Sequence, residues 1–281
     1  MAESATGMGM ASADRDGTAR RARKSFPWRR ALLTLLPFTL LLVLWQACSL
    51  CLKMEELPAP LDVFRALGPI LSNASDVASL LASLRRMALG LLLGLLLAVP
   101  MGLAMGRSRW LAATMNPLTA LVYPVPKAAL MPILMLWVGI GDLSKILVIF
   151  MGTSLPLVYH SYQGALHVDE KLVWSARAMG MGLIERLLRV VLPAALPEVL
   201  LGVRVALAMS LINMISSEMI ARQSGAGELL FNAMDMAVYT DVYAMILLIA
   251  AFGLVLDFAF ERLCRRLIHW SDTLDAQPSQ R

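Results

Sequence analysis

Apolar runs long enough to cross a lipid bilayer make up most of this chain, and that feature removes most possible folds. About 20 consecutive apolar residues span the hydrocarbon core as a helix. Inside lipid every backbone N–H and C=O must be paired within the structure, which leaves helices or closed barrels. Six such runs are present, at residues 31–52, 80–106, 113–138, 143–162, 196–220 and 242–263. The expected fold is all-α: a polytopic membrane protein with six transmembrane helices. Composition agrees, with 58% hydrophobic residues, 16% charged and a mean hydropathy of +0.68. Soluble domains are nearer half apolar and a quarter charged. The net charge of +5 does not point to nucleic acid, because the basic residues flank the apolar runs instead of forming one face.

The segments between the runs set the organisation. Residues 1–30 read as a disordered cytoplasmic tail ending in a basic stop of Arg20, Arg21, Arg23, Lys24, Arg29 and Arg30. Residues 31–52 form a first anchor helix. Residues 53–79 are polar, carry Pro58, Pro60 and Pro69, and read as a periplasmic segment with an extended stretch leading into a short helix. In the second run, Gly90, Gly94, Ala98, Gly102 and Gly106 recur every fourth residue, a stripe that lets a neighbouring helix approach closely. The third run is broken by Pro117, Pro124, Pro126 and Pro132. Such breaks free backbone groups that a neighbour or a cavity must satisfy. Residues 80–264 form the transmembrane core, and 265–281 a second cytoplasmic tail.

Residues 166–193 interrupt the core with Asp169, Glu170, Lys171, Arg177, Glu185, Arg186 and Arg189. Apolar positions Leu172, Ala176, Met179, Leu183, Leu187 and Val190 recur at helical spacing, which predicts short amphipathic helices. Gly180 and Gly182 allow a bend between them. With both termini inside, the positive charges fall mainly on the inner segments, and 166–193 is cytoplasmic.

This loop resembles the cytoplasmic loop of permease subunits in binding-protein-dependent ABC importers. The family pattern is Glu-Ala-Ala, three residues, Gly, nine residues, Ile-x-Leu-Pro. Here Ser175 and Ala176 stand for Ala-Ala, Gly180 for the glycine and Val190 for the isoleucine, followed by Leu192 and Pro193. Trp174 stands where the family has its glutamate, leaving open what replaces that residue's salt bridge. Residues 57–63, 123–146 and the Glu218-Met219 pair resemble the nitrate/sulfonate/taurine (SsuC/TauC-like) branch.

The resemblance implies a type I ABC importer (MetI-like) core in a bacterial inner membrane, carrying a small and mostly anionic solute. It also implies cytoplasmic ABC ATPase subunits, a periplasmic substrate-binding protein and a second permease copy as a homodimer. The docking residues it implies are Trp174, Ala176, Arg177, Gly180, Met181, Gly182, Leu192 and Pro193. No Gly-x4-Gly-Lys-Ser/Thr phosphate loop occurs, so ATP belongs to the partner and this chain carries no cofactor. No nucleophile, base and orienting group lie together, and a transport subunit is expected rather than an enzyme. An ion-coupled secondary transporter or channel is the alternative.

Ionisable residues inside spans are functional candidates. Lys127 would draw an anion along the pathway, or else snorkel or pair. Asn213, Ser216 and Glu218 would line the pathway or an outer gate, or else bond neighbouring helices. Arg204 and Asp257 lie at matching depths near the inner ends of the fifth and sixth spans and are expected to form a structural pair. No metal site is expected: Cys48 and Cys51 lack further ligands nearby. The 19 methionines read as flexible packing.

Overall fold

The computed structural model describes residues 27–267, with side chains from residue 36 onward. Almost all of the two expected tails, 1–26 and 268–281, lies outside the described residues. Among the described residues every regular element is helical. Among the described residues, those up to Cys48 and those from Ser49 onward form separate units. The first contributes most of α1 (Pro27–Leu52), which carries Pro37 inside it.

In the second unit, α2 (Pro60–Ser72) opens with proline at its first helical position, where the missing N–H costs nothing. Asn73 ends α2 and caps α3 (Ala74–Arg107), its Oδ1 accepting from the Ser75 N–H at 3.1 Å. With 34 residues, α3 is longer than a span needs, so its first turns lie beyond the apolar stretch. The short helix expected within 53–79 is α2, and residues 74–79 are helical as well, as the start of α3.

The third run is not one rod. It forms α4 (Arg109–Val122), a 3₁₀ turn (Lys127–Leu130) and α5 (Met131–Val138), with a bend of 84°. The cause is visible at the break. The carbonyl of Val122 would take its helical bond from residue 126, which is proline and has no N–H. The Lys127 amine fills the gap, donating to Val122 O at 2.7 Å and Tyr123 O at 2.9 Å. A cation at the C-terminal end of α4 also suits the helix dipole.

The core is a three-helix stack in which α6 (Asp142–Leu166) packs between α3 and α9 (Leu192–Ala221). The small-residue stripe of α3 faces α6. A Cβ added at Gly90 would sit 2.6 Å from Ile149 Cγ2, and one at Gly102 2.5 Å from Val158 O. Gly106 closes on Ala165 in the same way. Ala98, Leu103, Leu157, Val158, Val199 and Val203 fill the remaining space as one buried cluster. After α9, the chain turns through Arg222 (φ 48) and Gly225 (φ 124) into α10 (Ala226–Asp235), then α11 (Tyr239–Leu267). Four described helices are long and apolar enough to cross a membrane, or five with the bent pair as one span.

Candidate functional site

The polar break folds as a short helix, a glycine corner and the foot of a long helix. Asp169 caps α7 (Glu170–Ala178), accepting from the Lys171 N–H at 2.9 Å. The end of α7 is a Schellman turn: the Met181 N–H reaches Ala176 O at 3.1 Å and the Gly180 N–H reaches Arg177 O at 3.0 Å. Gly180 holds φ +82°, a left-handed conformation that favours glycine. The second amphipathic helix is not free-standing. Its start, α8 (Leu183–Arg186), runs through a wide π turn (Leu187–Val191) straight into α9. The π turn lies just before Pro193, whose ring would collide with the Arg189 carbonyl in a regular helix. Ala176 is buried, whereas Leu172, Trp174, Met179, Leu183 and Ile184 all stand exposed around the corner.

At the far end of the core lies a buried charge network. Ser83 and Arg86 share a face of α3 at a three-residue spacing, and Asp142 and Lys145 do the same at the start of α6. Glu218 sits one turn before the end of α9. Arg86 donates from one nitrogen to Glu218 Oε1 at 2.8 Å and to Ser224 O at 2.9 Å. Its Nε reaches Asp142 Oδ1 at 2.6 Å, and Arg85 holds the other Asp142 oxygen. Ser83 donates to the Glu218 carboxylate at 2.8 Å and accepts from the Ala226 N–H at 2.8 Å. The Gly227 N–H donates to Glu218 Oε2 at 3.1 Å, so Glu218 also caps the start of α10. The Lys145 amine donates to Ser224 O at 3.1 Å. Arg86 is 3% exposed, and Lys145 and Glu218 are 0% exposed. A Cβ at Gly225 would run into the Glu218 carboxylate, so this approach requires glycine.

Glu218 is fully buried within this network. Asn213 is buried; its amide donates to Met209 O at 2.7 Å and presses on Gly152, where an added Cβ would strike it. It packs α9 against α6. Ser216 is half-buried on α9. The Lys127 amine is turned onto two carbonyls rather than toward a passing anion. Arg204 and Asp257 meet in a two-pronged contact, Nε to Oδ1 at 2.9 Å and NH2 to Oδ2 at 2.8 Å, with both side chains nearly half exposed.

Sequence reasoning passed over Arg86, Lys145 and Glu198, although each is an ionisable residue inside an expected span. The rule that singled out Glu218 identifies them equally. No group of three or more His, Cys, Asp or Glu able to hold a metal occurs among the described residues.

Comparison with known proteins agrees with this architecture. The family of binding-protein-dependent transport system inner membrane components matches residues 90–269. A protein assigned to aliphatic sulfonates transport as permease SsuC, from Escherichia coli (strain K12), is 33% identical over 250 residues, covering 87% of this chain and 95% of the relative. The taurine transport system permease protein TauC of the same organism is 30% identical over 260 residues, covering 90% and 94%. A chain from the inward facing MetNI methionine ABC transporter shares the fold, with a TM-score of 0.59 at 18% identity, over 68% of this chain and 95% of that one. These relatives favour a permease of an ATP-driven system over an ion-coupled secondary transporter. The chain belongs to the binding-protein-dependent transport system inner membrane components, and it is a membrane-embedded transport subunit rather than an enzyme.

Proposed function

We propose that this chain is the permease subunit of an ATP-driven importer for a small organic anion of the aliphatic sulfonate or taurine kind. The substrate class rests on what the SsuC and TauC relatives carry. Two copies would pair in the membrane with two cytoplasmic ABC ATPase subunits and one periplasmic binding protein. Counting α1 as the first and the bent α4–α5 pair as the third gives six spans, with both termini and residues 166–193 on the cytoplasmic side.

The observation that carries this reading is the exposed apolar corner at α7 and α8. Residues 166–193 are rich in charge, yet Trp174 is 63% exposed and Ile184 is 71% exposed. Water alone gives no reason to present those side chains, and a partner's groove does. Ala176, Arg177, Gly180, Met181 and Gly182 shape the foot, and Leu192 and Pro193 fix its junction with α9. Trp174 would seat by apolar contact where the family's glutamate would seat by charge. The Arg204–Asp257 pair then ties the fifth span to the sixth near the cytoplasmic face.

Co-purification tests the reading. A nucleotide-binding subunit should come down from gently solubilised membranes with the wild type and be lost with Gly180→Arg, which still inserts. If no ATPase accompanies the wild type and an ion gradient alone drives uptake, the reading is wrong.

A further inference from the structure

A cavity of about 620 Å³ opens between α3, α4, α6 and α9, well away from the buried charge network. Its size falls within the range of small-molecule sites, roughly 300–1,000 Å³. Most of the lining is apolar, with Met105, Leu155, Pro156, Val158 and Val205 supplying carbon surface. The polar groups are Asn116, Thr119, Tyr123, Tyr159, His160 and Tyr162. The Thr119 hydroxyl is turned onto Asn116 O at 2.9 Å. The Asn116 amide and the three phenols have no hydrogen-bond partner among the described residues. The His160 Nδ1 lies 2.8 Å from Glu198 Oε1, which fixes the ring, and Tyr159 packs edge-on against it with centroids 5.4 Å apart. No lysine or arginine lines the cavity.

We infer that this cavity is a transit subsite that holds an alkanesulfonate by its hydrocarbon tail, with its head met by neutral donors. The inference rests on the importer reading and narrows its solute. A bare inorganic oxyanion such as nitrate has no apolar part to bury, and in a mostly apolar site without a cation it loses its hydration with little in return. A sulfonate with an alkyl tail gains roughly fourfold in binding for each buried methylene. The missing cation also suits a passage, because a site that must release its occupant cannot hold it strongly.

Cysteine protection tests this without requiring transport. Native Cys48, Cys51 and Cys264 are replaced by serine, and Val205→Cys is introduced at the cavity wall. Leu201→Cys, exposed one turn earlier on α9, serves as control. Hexanesulfonate should slow maleimide labelling of Val205→Cys at least fivefold, ethanesulfonate less, and nitrate not at all. Labelling of Leu201→Cys should not change. In the reconstituted complex, Ala120→Trp, which crowds the cavity wall, should lower hexanesulfonate uptake about tenfold more than ethanesulfonate uptake. Equal protection by nitrate and hexanesulfonate, or protection by neither, overturns the subsite. Protection that follows tail length without ATP-driven uptake by the wild type leaves the subsite standing and overturns the importer reading instead.

Discussion

Removing the Glu218 charge should unfold this protein far more readily than its conservative chemistry suggests. In Glu218→Gln the shape is kept and the charge is lost. Arg86, 3% exposed, then keeps only Asp142 as a carboxylate partner, and Lys145, 0% exposed, loses one of the three acids near it, Asp142 and Glu228 remaining. The new amide cannot accept at both former oxygens, so either the Arg86 or the Gly227 contact also fails. Breaking a buried ion pair from one side costs about 3–5 kcal/mol. Asp142 still holds Arg86, which puts the expected loss at the lower end, about 3 kcal/mol. That is a shift of roughly a hundredfold in the unfolding equilibrium. Arg86→Met should cost a similar amount, since it strands Glu218. The double variant Arg86→Met with Glu218→Gln should cost less than the sum of the singles by about 2 kcal/mol or more, since no unpaired charge remains between them. The assay is equilibrium unfolding of the purified protein in mixed micelles, with a cycle over the four proteins. Single losses below about 1 kcal/mol, or strict additivity, would refute the reasoning.

Gly102→Leu should destabilise the protein by about 2–3 kcal/mol, because the new side chain starts 2.5 Å from the Val158 carbonyl; a thermal shift within error of wild type would contradict the α3–α6 contact. Lys127→Met should cost about 1 kcal/mol by freeing the Val122 and Tyr123 carbonyls, and should leave the ionic-strength dependence of uptake unchanged; a changed salt profile would restore Lys127 as an anion attractor. Gly180→Ala should cost about 1 kcal/mol of local backbone strain and weaken ATPase retention, measured by pull-down, while melting of the membrane core stays put. Exchanging Arg204 and Asp257 for each other should restore most of what either charge reversal loses in folded yield, and no restoration would deny them a structural role.

The long helices were legible because lipid leaves one solution for a 20-residue apolar run. The expected second, fourth, fifth and sixth runs all fall inside single helices, α3, α6, α9 and α11. Length alone could not show that α3 starts six residues early, since that stretch is polar and draws on the Asn73 cap rather than on lipid. The prolines announced a break in the third run, but its 84° depends on where Lys127 finds acceptors. The glycine stripe named a packing face without naming α6 as its partner. Glu218 stood out as a charge in a span, yet its meaning depends on Arg86, 132 residues earlier in the chain. Nothing local links the two, so the sequence marks Glu218 as a charge in a span without marking the network that holds it. The loop motif was plain in sequence. Its fusion to α9 was not, because a π turn leaves no periodicity of its own.

That fusion has a mechanical consequence. From Leu183 to Ala221 the chain is 39 continuous helical residues, about 58 Å from tip to tip. One end is pinned by Glu218 to α3 and to the start of α10. The other carries an exposed apolar toe. A push on the toe therefore has two outcomes only: it travels the whole shaft as a rigid rotation, or it is absorbed at residues 187–191, where the backbone is already wound out of register. The wide turn acts as a clutch. Its stiffness, rather than the strength of any grip on the toe, sets how much of each stroke reaches the opposite face of the membrane.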